Sequence, residues 1–188
     1  MKIKEDKFIK ILALVLAPLI LLSIVLDDIL LDLFLDLRVS FLDQIFIFLS
    51  KAFTKGIIFI FVFLLLYRIK KYVWPWIFSA VLSILIAKGL KIVVARPRPF
   101  ELYPIINNLV SATSSSFPSG HTTLLFAALP LLFLAYPRQK WLFFIIALIL
   151  ALSRVYLGVH YVSDILAGMF IGLISSMIVL LVKNKMKK

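Results

Sequence analysis

The chain has 188 residues, 63% of them hydrophobic, and a mean hydropathy of +1.12. Soluble domains run about 45–50% apolar, and a chain this short has too little interior to hide the excess, so a soluble globular protein is excluded. Cysteine is absent, which excludes disulfides and thiolate metal sites, and two histidines are too few for a histidine-rich metal cage; the net charge of +12 is either a nucleic-acid footprint or a membrane signal.

A membrane-crossing helix needs about 20 mostly apolar residues. Residues 8–26 supply the first. The stretch has no small-residue cleavage site and runs straight into Asp27-Asp28, so it reads as a retained span rather than a leader. In residues 27–50, Asp28, Asp32 and Asp36 recur every fourth position among Ile29, Leu30, Leu33, Phe34 and Leu37. That pattern predicts an amphipathic helix lying in the outer interface, as a connector shielding the core or as a gate for substrate. Residues 56–67 are the centre of a second span, which must extend back past Lys55 or be short. Residues 72–90 supply a third, with Trp74 and Trp76 beside Tyr72 as interfacial anchors. Residues 121–136, 141–158 and 162–182 supply three more. The expected fold is all-α: a polytopic membrane helical bundle of about six transmembrane helices plus the interfacial helix. It forms a single domain over 1–188, with a motif-bearing core at 88–168.

The basic residues orient the bundle. With both termini cytoplasmic, the inner segments hold Lys2, Lys4, Lys7, Lys10, Arg68, Lys70, Lys71, Arg138, Lys140, Lys183, Lys185, Lys187 and Lys188, thirteen of the 21 basic residues, against Glu5 and Asp6. The positive-inside rule accounts for this excess without nucleic acid. It leaves Lys88, Lys91, Arg96, Arg98, His121, Arg154, His160 and Asp164 at the outer side, unexplained by topology. Ionisable residues at membrane depth are costly and mark function by default.

Three segments hold them. In Lys91-Ile-Val-Val-Ala-Arg-Pro-Arg-Pro99, the prolines stop the helix and hold Arg98 in extended chain. Lys91 and Arg98 then form an anion site, since a guanidinium fork matches phosphate oxygens; a basic collar for lipid head groups is the plainer alternative. In Ser111-Ala-Thr-Ser-Ser-Ser-Phe-Pro-Ser-Gly-His121, Pro118 suits the first turn of a helix. Ser119, Gly120 and His121 fall at its N-terminus, where free N–H groups favour an anion and His121 can be a general acid. An ordinary cap with an exposed histidine fits the same residues. In Ser153-Arg154-Val-Tyr-Leu-Gly-Val-His160-Tyr-Val-Ser-Asp164, His160 and Asp164 share a helical face four residues apart. Asp164 can fix the imidazole tautomer and leave the other nitrogen free to attack, with Arg154 as a third cation. A buried Asp164–Arg154 ion pair beside a structural histidine is the alternative.

Together these segments resemble the signature of the phosphatidic acid phosphatase type 2 superfamily. That signature has a lysine, six residues and Arg-Pro; then Pro-Ser-Gly-His; then Ser-Arg, five residues, His, three residues and Asp. Lys91 with Arg98-Pro99, residues 118–121, and Ser153-Arg154 with His160 and Asp164 match it in order. The register through Arg96-Pro97 fails, because position 89 is glycine. The resemblance implies a membrane lipid phosphatase needing no metal or other cofactor. His160 would form a phosphohistidine with Asp164 orienting it. His121 would protonate the leaving oxygen and then activate water. Lys91, Arg98, Arg154, Ser119 and the Gly120 N–H would hold the phosphate. The partners expected are the bilayer and a lipid phosphate, not nucleic acid. Phosphatidylglycerol phosphate, phosphatidate, undecaprenyl diphosphate and lipid A 1-phosphate all fit a site on the outer, periplasmic side of a prokaryotic inner membrane. An anion or lipid-phosphate transporter could use the same cations without needing an attacking histidine. Soluble vanadate-dependent haloperoxidases share the signature, but the span count argues against them.

Overall fold

The computed structural model describes residues 7–54, 56–103, 106, 109–110 and 112–186. Lys2, Lys4, Glu5, Asp6, Lys55, Ser111, Lys187 and Lys188 lie outside the described residues. The helices are α1 (Lys7–Asp36), α2 (Ser40–Thr54), α3 (Ile57–Tyr67), α4 (Val73–Val94), α5 (Pro99–Leu102), α6 (Gly120–Ala135), α7 (Lys140–Tyr156) and α8 (Val162–Lys185). No strand occurs among the described residues. Four described stretches are long and apolar enough to cross a membrane: Phe8–Asp36, Lys70–Leu102, Pro137–Tyr156 and Val162–Lys185. Gly120–Ala135 is a shorter apolar helix. Large side chains such as Leu14, Val25, Ile92 and Val93 face outward and are mostly exposed, which water would penalise and a hydrocarbon layer would not. The protein is an integral membrane protein.

The second span takes the shorter of its two forms. Helix α2 ends at Thr54, and Gly56 stands at φ 76, so the helix restarts at Ile57 rather than running through. The 11 residues of α3 reach about 16 Å, against a hydrocarbon core of about 30 Å.

The interfacial helix expected over 27–50 is not one element. α1 continues without a break to Asp36, and after a short turn α2 starts at Ser40. The Asp27-Asp28 pair fails to end α1 because Asp27 is 2% exposed and ion-paired to Arg96 at 2.9 Å. Asp28 accepts a hydrogen bond from the Tyr103 hydroxyl at 2.8 Å. Both carboxylates are thus satisfied while helical. The anchors of the third span also divide: Trp74 is exposed, whereas Trp76 and Tyr72 are buried in a cluster with Leu66, Leu131 and Leu132.

α8 is the central helix, packed against α1, α4 and α6. Its contact with α6 is set by small residues, which in a membrane let backbones meet closely. A Cβ on Gly172 would stand 2.5 Å from the Thr123 carbonyl oxygen and 2.7 Å from the Ala127 nitrogen. Backbone cannot yield as a side-chain tip can, so Gly172→Ala is expected to lose about 1–3 kcal/mol by overpacking. A fall in melting temperature in detergent measures it; an unchanged value would mean that α6 and α8 are further apart. This packing brings the start of α6 against the start of α8, with the Ser119 N–H donating to the Asp164 carbonyl at 3.0 Å.

Candidate active site

Three connections meet at that end of the bundle. α4 stops at Val94, with Ala95 at φ 45 as its cap, before either proline is reached. Arg98 follows in extended conformation (φ −83, ψ 156), and Pro99 opens α5. Pro118 lies outside α6 rather than in its first turn: Ser119 is the N-cap and Gly120 the first helical residue. The turn from α7 to α8 passes through Gly158 at φ 68, a left-handed conformation that L side chains rarely adopt. That reversal presents His160 just before α8 begins.

His160 is 2% exposed and Asp164 fully buried. Nδ1 of His160 lies 3.3 Å from Oδ2 of Asp164, and Nε2 lies 3.4 Å from Nη1 of Arg98. Asp164 is held from several sides. Its Oδ2 accepts from the Tyr161 N–H at 2.9 Å and from the Ser116 hydroxyl, and its Oδ1 accepts from Arg96 Nη1 at 3.1 Å. A carboxylate this well bonded stays charged and keeps Nδ1 as the protonated nitrogen. Burial pushes the His160 imidazole down to about 4, although Asp164 pulls it up, so the ring is neutral at physiological pH.

Arg98 stands beside Nε2, and Arg154 acts on the ring electrostatically. Arg98 donates from Nε to the Ser114 carbonyl at 2.7 Å and from Nη1 to the Val159 carbonyl at 2.8 Å. Lys91 Nζ donates to the Ser115 carbonyl, and the Ser115 hydroxyl returns a bond to the Lys91 carbonyl at 2.8 Å. These bonds fasten the serine loop over the end of α4. Arg154 is 4% exposed; its Nη1 donates to the Ser50 hydroxyl on α2, and its buried Nε has no partner among the described residues. His121 lies within electrostatic reach of Arg154, His160, Arg98 and Lys91. Its Nε2 is likewise buried without a partner, and its ring packs on Phe53 at 4.3 Å between centroids. Buried polar atoms are normally satisfied. The two unsatisfied atoms at this site, one on a histidine and one on an arginine, suit a polar ligand.

All eight residues picked from the sequence therefore gather at one end of the bundle: Lys91, Arg98, Ser119, Gly120, His121, Arg154, His160 and Asp164. Lys88 does not join them and is exposed. The Asp164–Arg154 ion pair does not form, because Arg96 takes the carboxylate instead. Arg96 stood among the unexplained outer charges but was given no role, and Asp27, Ser116, Ser163, Ser50 and Phe53 were missed. An aspartate next to an apolar run was the available signal for Asp27, but the same letters read as the end of a span.

Several known proteins resemble this chain. The chain is 37% identical over 83 residues to the bacitracin transport permease protein BcrC of Bacillus licheniformis, covering 44% of this chain and 41% of that one. It is 35% identical over 98 residues to an undecaprenyl-diphosphatase of Sulfolobus acidocaldarius, covering 51% and 48%. The matched part thus spans less than half the length of either curated relative. A crystal structure of Aquifex aeolicus LpxE superposes with a TM-score of 0.74 at 28% identity, covering 82% of this chain and 94% of that one. The sequence model of the PAP2 superfamily matches residues 72–188. That match takes in α4, all three motif segments and α8, well over half of the chain, and the chain belongs to the PAP2 superfamily.

Proposed function

We propose that the protein is a membrane phosphatase that hydrolyses a lipid phosphate or diphosphate through a phosphohistidine on His160. The observation that carries this reading is the orientation of one ring: Nδ1 toward Asp164 at 3.3 Å and Nε2 toward Arg98 at 3.4 Å. A nucleophile needs one nitrogen fixed and the other free beside the group it attacks. In the first step His160 Nε2 bonds to phosphorus, the bond from phosphorus to the lipid oxygen breaks, and His121 gives that oxygen its proton. In the second step His121 takes a proton from water, the water oxygen bonds to phosphorus, and the P–N bond breaks to free phosphate. Lys91, Arg98, Arg154, Ser119 and the Gly120 N–H stabilise the phosphate oxygens throughout.

The rest of the reading concerns placement. Six spans form one domain over 1–188, with the short α3 as the second. Both termini are cytoplasmic, which sets the site on the periplasmic side of a prokaryotic inner membrane. The lysines at the far ends of α4 and α8 support that orientation. The substrate's chains stay in the bilayer while its phosphate enters among the cations. Phosphatidylglycerol phosphate, phosphatidate, undecaprenyl diphosphate and lipid A 1-phosphate are the substrates to compare. The Bacillus licheniformis relative is named as a transport permease, which favours a second reading, transport without hydrolysis.

Detergent-solubilised protein given these four lipids side by side is expected to release inorganic phosphate from at least one. A chelator should leave the rate unchanged, because the chain's own cations carry the charge. No release from any of them, together with movement of a phosphate across a vesicle membrane, would replace the phosphatase reading with the transport one.

A further inference from the structure

Arg96 stands two residues before Arg98 and does different work. Its Nη1 donates to Asp164 Oδ1 at 3.1 Å and to the Ser163 hydroxyl at 2.7 Å. Its Nη2 donates to Asp27 Oδ2 at 2.9 Å. The guanidinium carbon lies 3.8 Å from the centre of the Tyr161 ring. Asp27 comes from α1, and it accepts the Ser163 N–H at 2.9 Å and the Ser163 hydroxyl as well. Asp27 is 2% exposed and Asp164 fully buried.

A buried carboxylate is costly unless paired and hydrogen-bonded. Here two of them share one arginine. Arg96 takes the oxygen of Asp164 that His160 does not use, so the carboxylate cannot rotate without breaking that bond. Asp27 holds the other arm of the fork. It holds Arg96 on the carboxylate side, away from Arg98 beside His160 Nε2, where a loose guanidinium would compete for the phosphate. The two arginines of Arg-Pro-Arg-Pro are thereby divided, Arg98 on the phosphate side and Arg96 on the carboxylate side.

We propose that Asp27 and Arg96 are positioning residues that set the orientation and the charge of Asp164, tying α1 to the His160–Asp164 pair. The role in turnover rests on the reading of His160 as attacking group. The charged and titratable groups around His160 are Asp164 on α8, Arg98 before α5, Arg154 on α7 and His121 on α6, with Lys91 on α4 near Asp164. Arg96 acts on His160 through Asp164. It neutralises part of the charge that favours the imidazolium, so its removal favours protonation. Removing Asp27 leaves Arg96 uncompensated and has the opposite sign.

The full chain in detergent tests this with two readouts. With two histidines in the chain, histidine-selective 15N labelling follows the titration of His160, and His121→Asn assigns the signals. Arg96→Gln is expected to raise the His160 midpoint by about one pH unit, and Asp27→Asn to lower it by a smaller amount. The acid limb of kcat/KM moves in the same directions. Arg96→Lys keeps the charge but not the two-armed fork. It should leave the midpoint in place while kcat falls by roughly 10- to 100-fold with little change in KM. An unchanged midpoint in both Arg96→Gln and Asp27→Asn, or an unchanged kcat in Arg96→Lys, would overturn the proposal. If Arg96→Gln does not fold, the other two variants decide. The midpoints are read without substrate, so shifts in a protein that releases no phosphate would sustain the anchor and remove the phosphatase reading, whereas release without shifts would do the reverse.

Discussion

His160→Ala is expected to lose phosphate release by on the order of 10⁴- to 10⁶-fold in kcat, the scale seen when the attacking group of a covalent mechanism is removed. KM should change little, because Lys91, Arg98 and Arg154 stay in place to bind the phosphate. The loss would follow from position as much as from chemistry. The other histidine at the site, His121, has no carboxylate fixing its tautomer among the described residues, and water entering the space would have no base held by Asp164. Rate alone leaves one ambiguity, since a histidine acting only as a base for water would also be missed. Rapid quenching of wild type with labelled substrate resolves it. A phosphoryl group on nitrogen is lost in acid and kept in alkali, and it should be present in wild type and absent in His160→Ala. Retained turnover in the variant, or a wild type that never carries label, would remove the nucleophile assignment. The variant also deletes a buried ring, so its melting temperature belongs beside the rate.

The histidine was legible because its chemistry is local. His160 and Asp164 are four residues apart, and a helix start between them leaves the pair in contact at 3.3 Å. Lys91, Arg98 and His121 were legible because a chain this apolar has few reasons to keep charge at the ends of its helices. The carboxylate's other supports were hidden for the opposite reason. Arg96 reaches Asp164 across 68 positions and Asp27 reaches Ser163 across 136, and no periodicity connects such distances. Asp27 was also misread through a sound rule. An acidic pair after an apolar run usually meets water, but here one member turned inward to an arginine and α1 continued to Asp36. Trp76 failed similarly: tryptophan at the start of a span is an interfacial residue by habit, yet this one is buried at 2% beneath α3 and α6. The break between α2 and α3 depends on Gly56 at φ 76, which a hydropathy pattern does not record.

His121→Ala separates the two halves of the reaction. Loss of a general acid costs about 10²- to 10⁴-fold when the leaving group needs its proton. A lipid alkoxide needs it badly. The phosphate monoester released from a lipid diphosphate needs it much less, and nitrophenolate hardly at all. The variant should therefore be most impaired on lipid monophosphates, less on a diphosphate, and least in the first turnover of p-nitrophenyl phosphate. The second step gives no such relief, because every substrate leaves the same phosphohistidine and the same water must be activated. With p-nitrophenyl phosphate the variant should then show a burst of about one nitrophenolate per active protein, followed by slow turnover, with labelled phosphate accumulating on His160. Equal losses on all leaving groups with no burst would leave His121 as a binding group only. The packing of its ring on Phe53 at 4.3 Å and its unpartnered Nε2 favour the first outcome. Among the described residues, its nitrogen has no bond to break before it can move a proton.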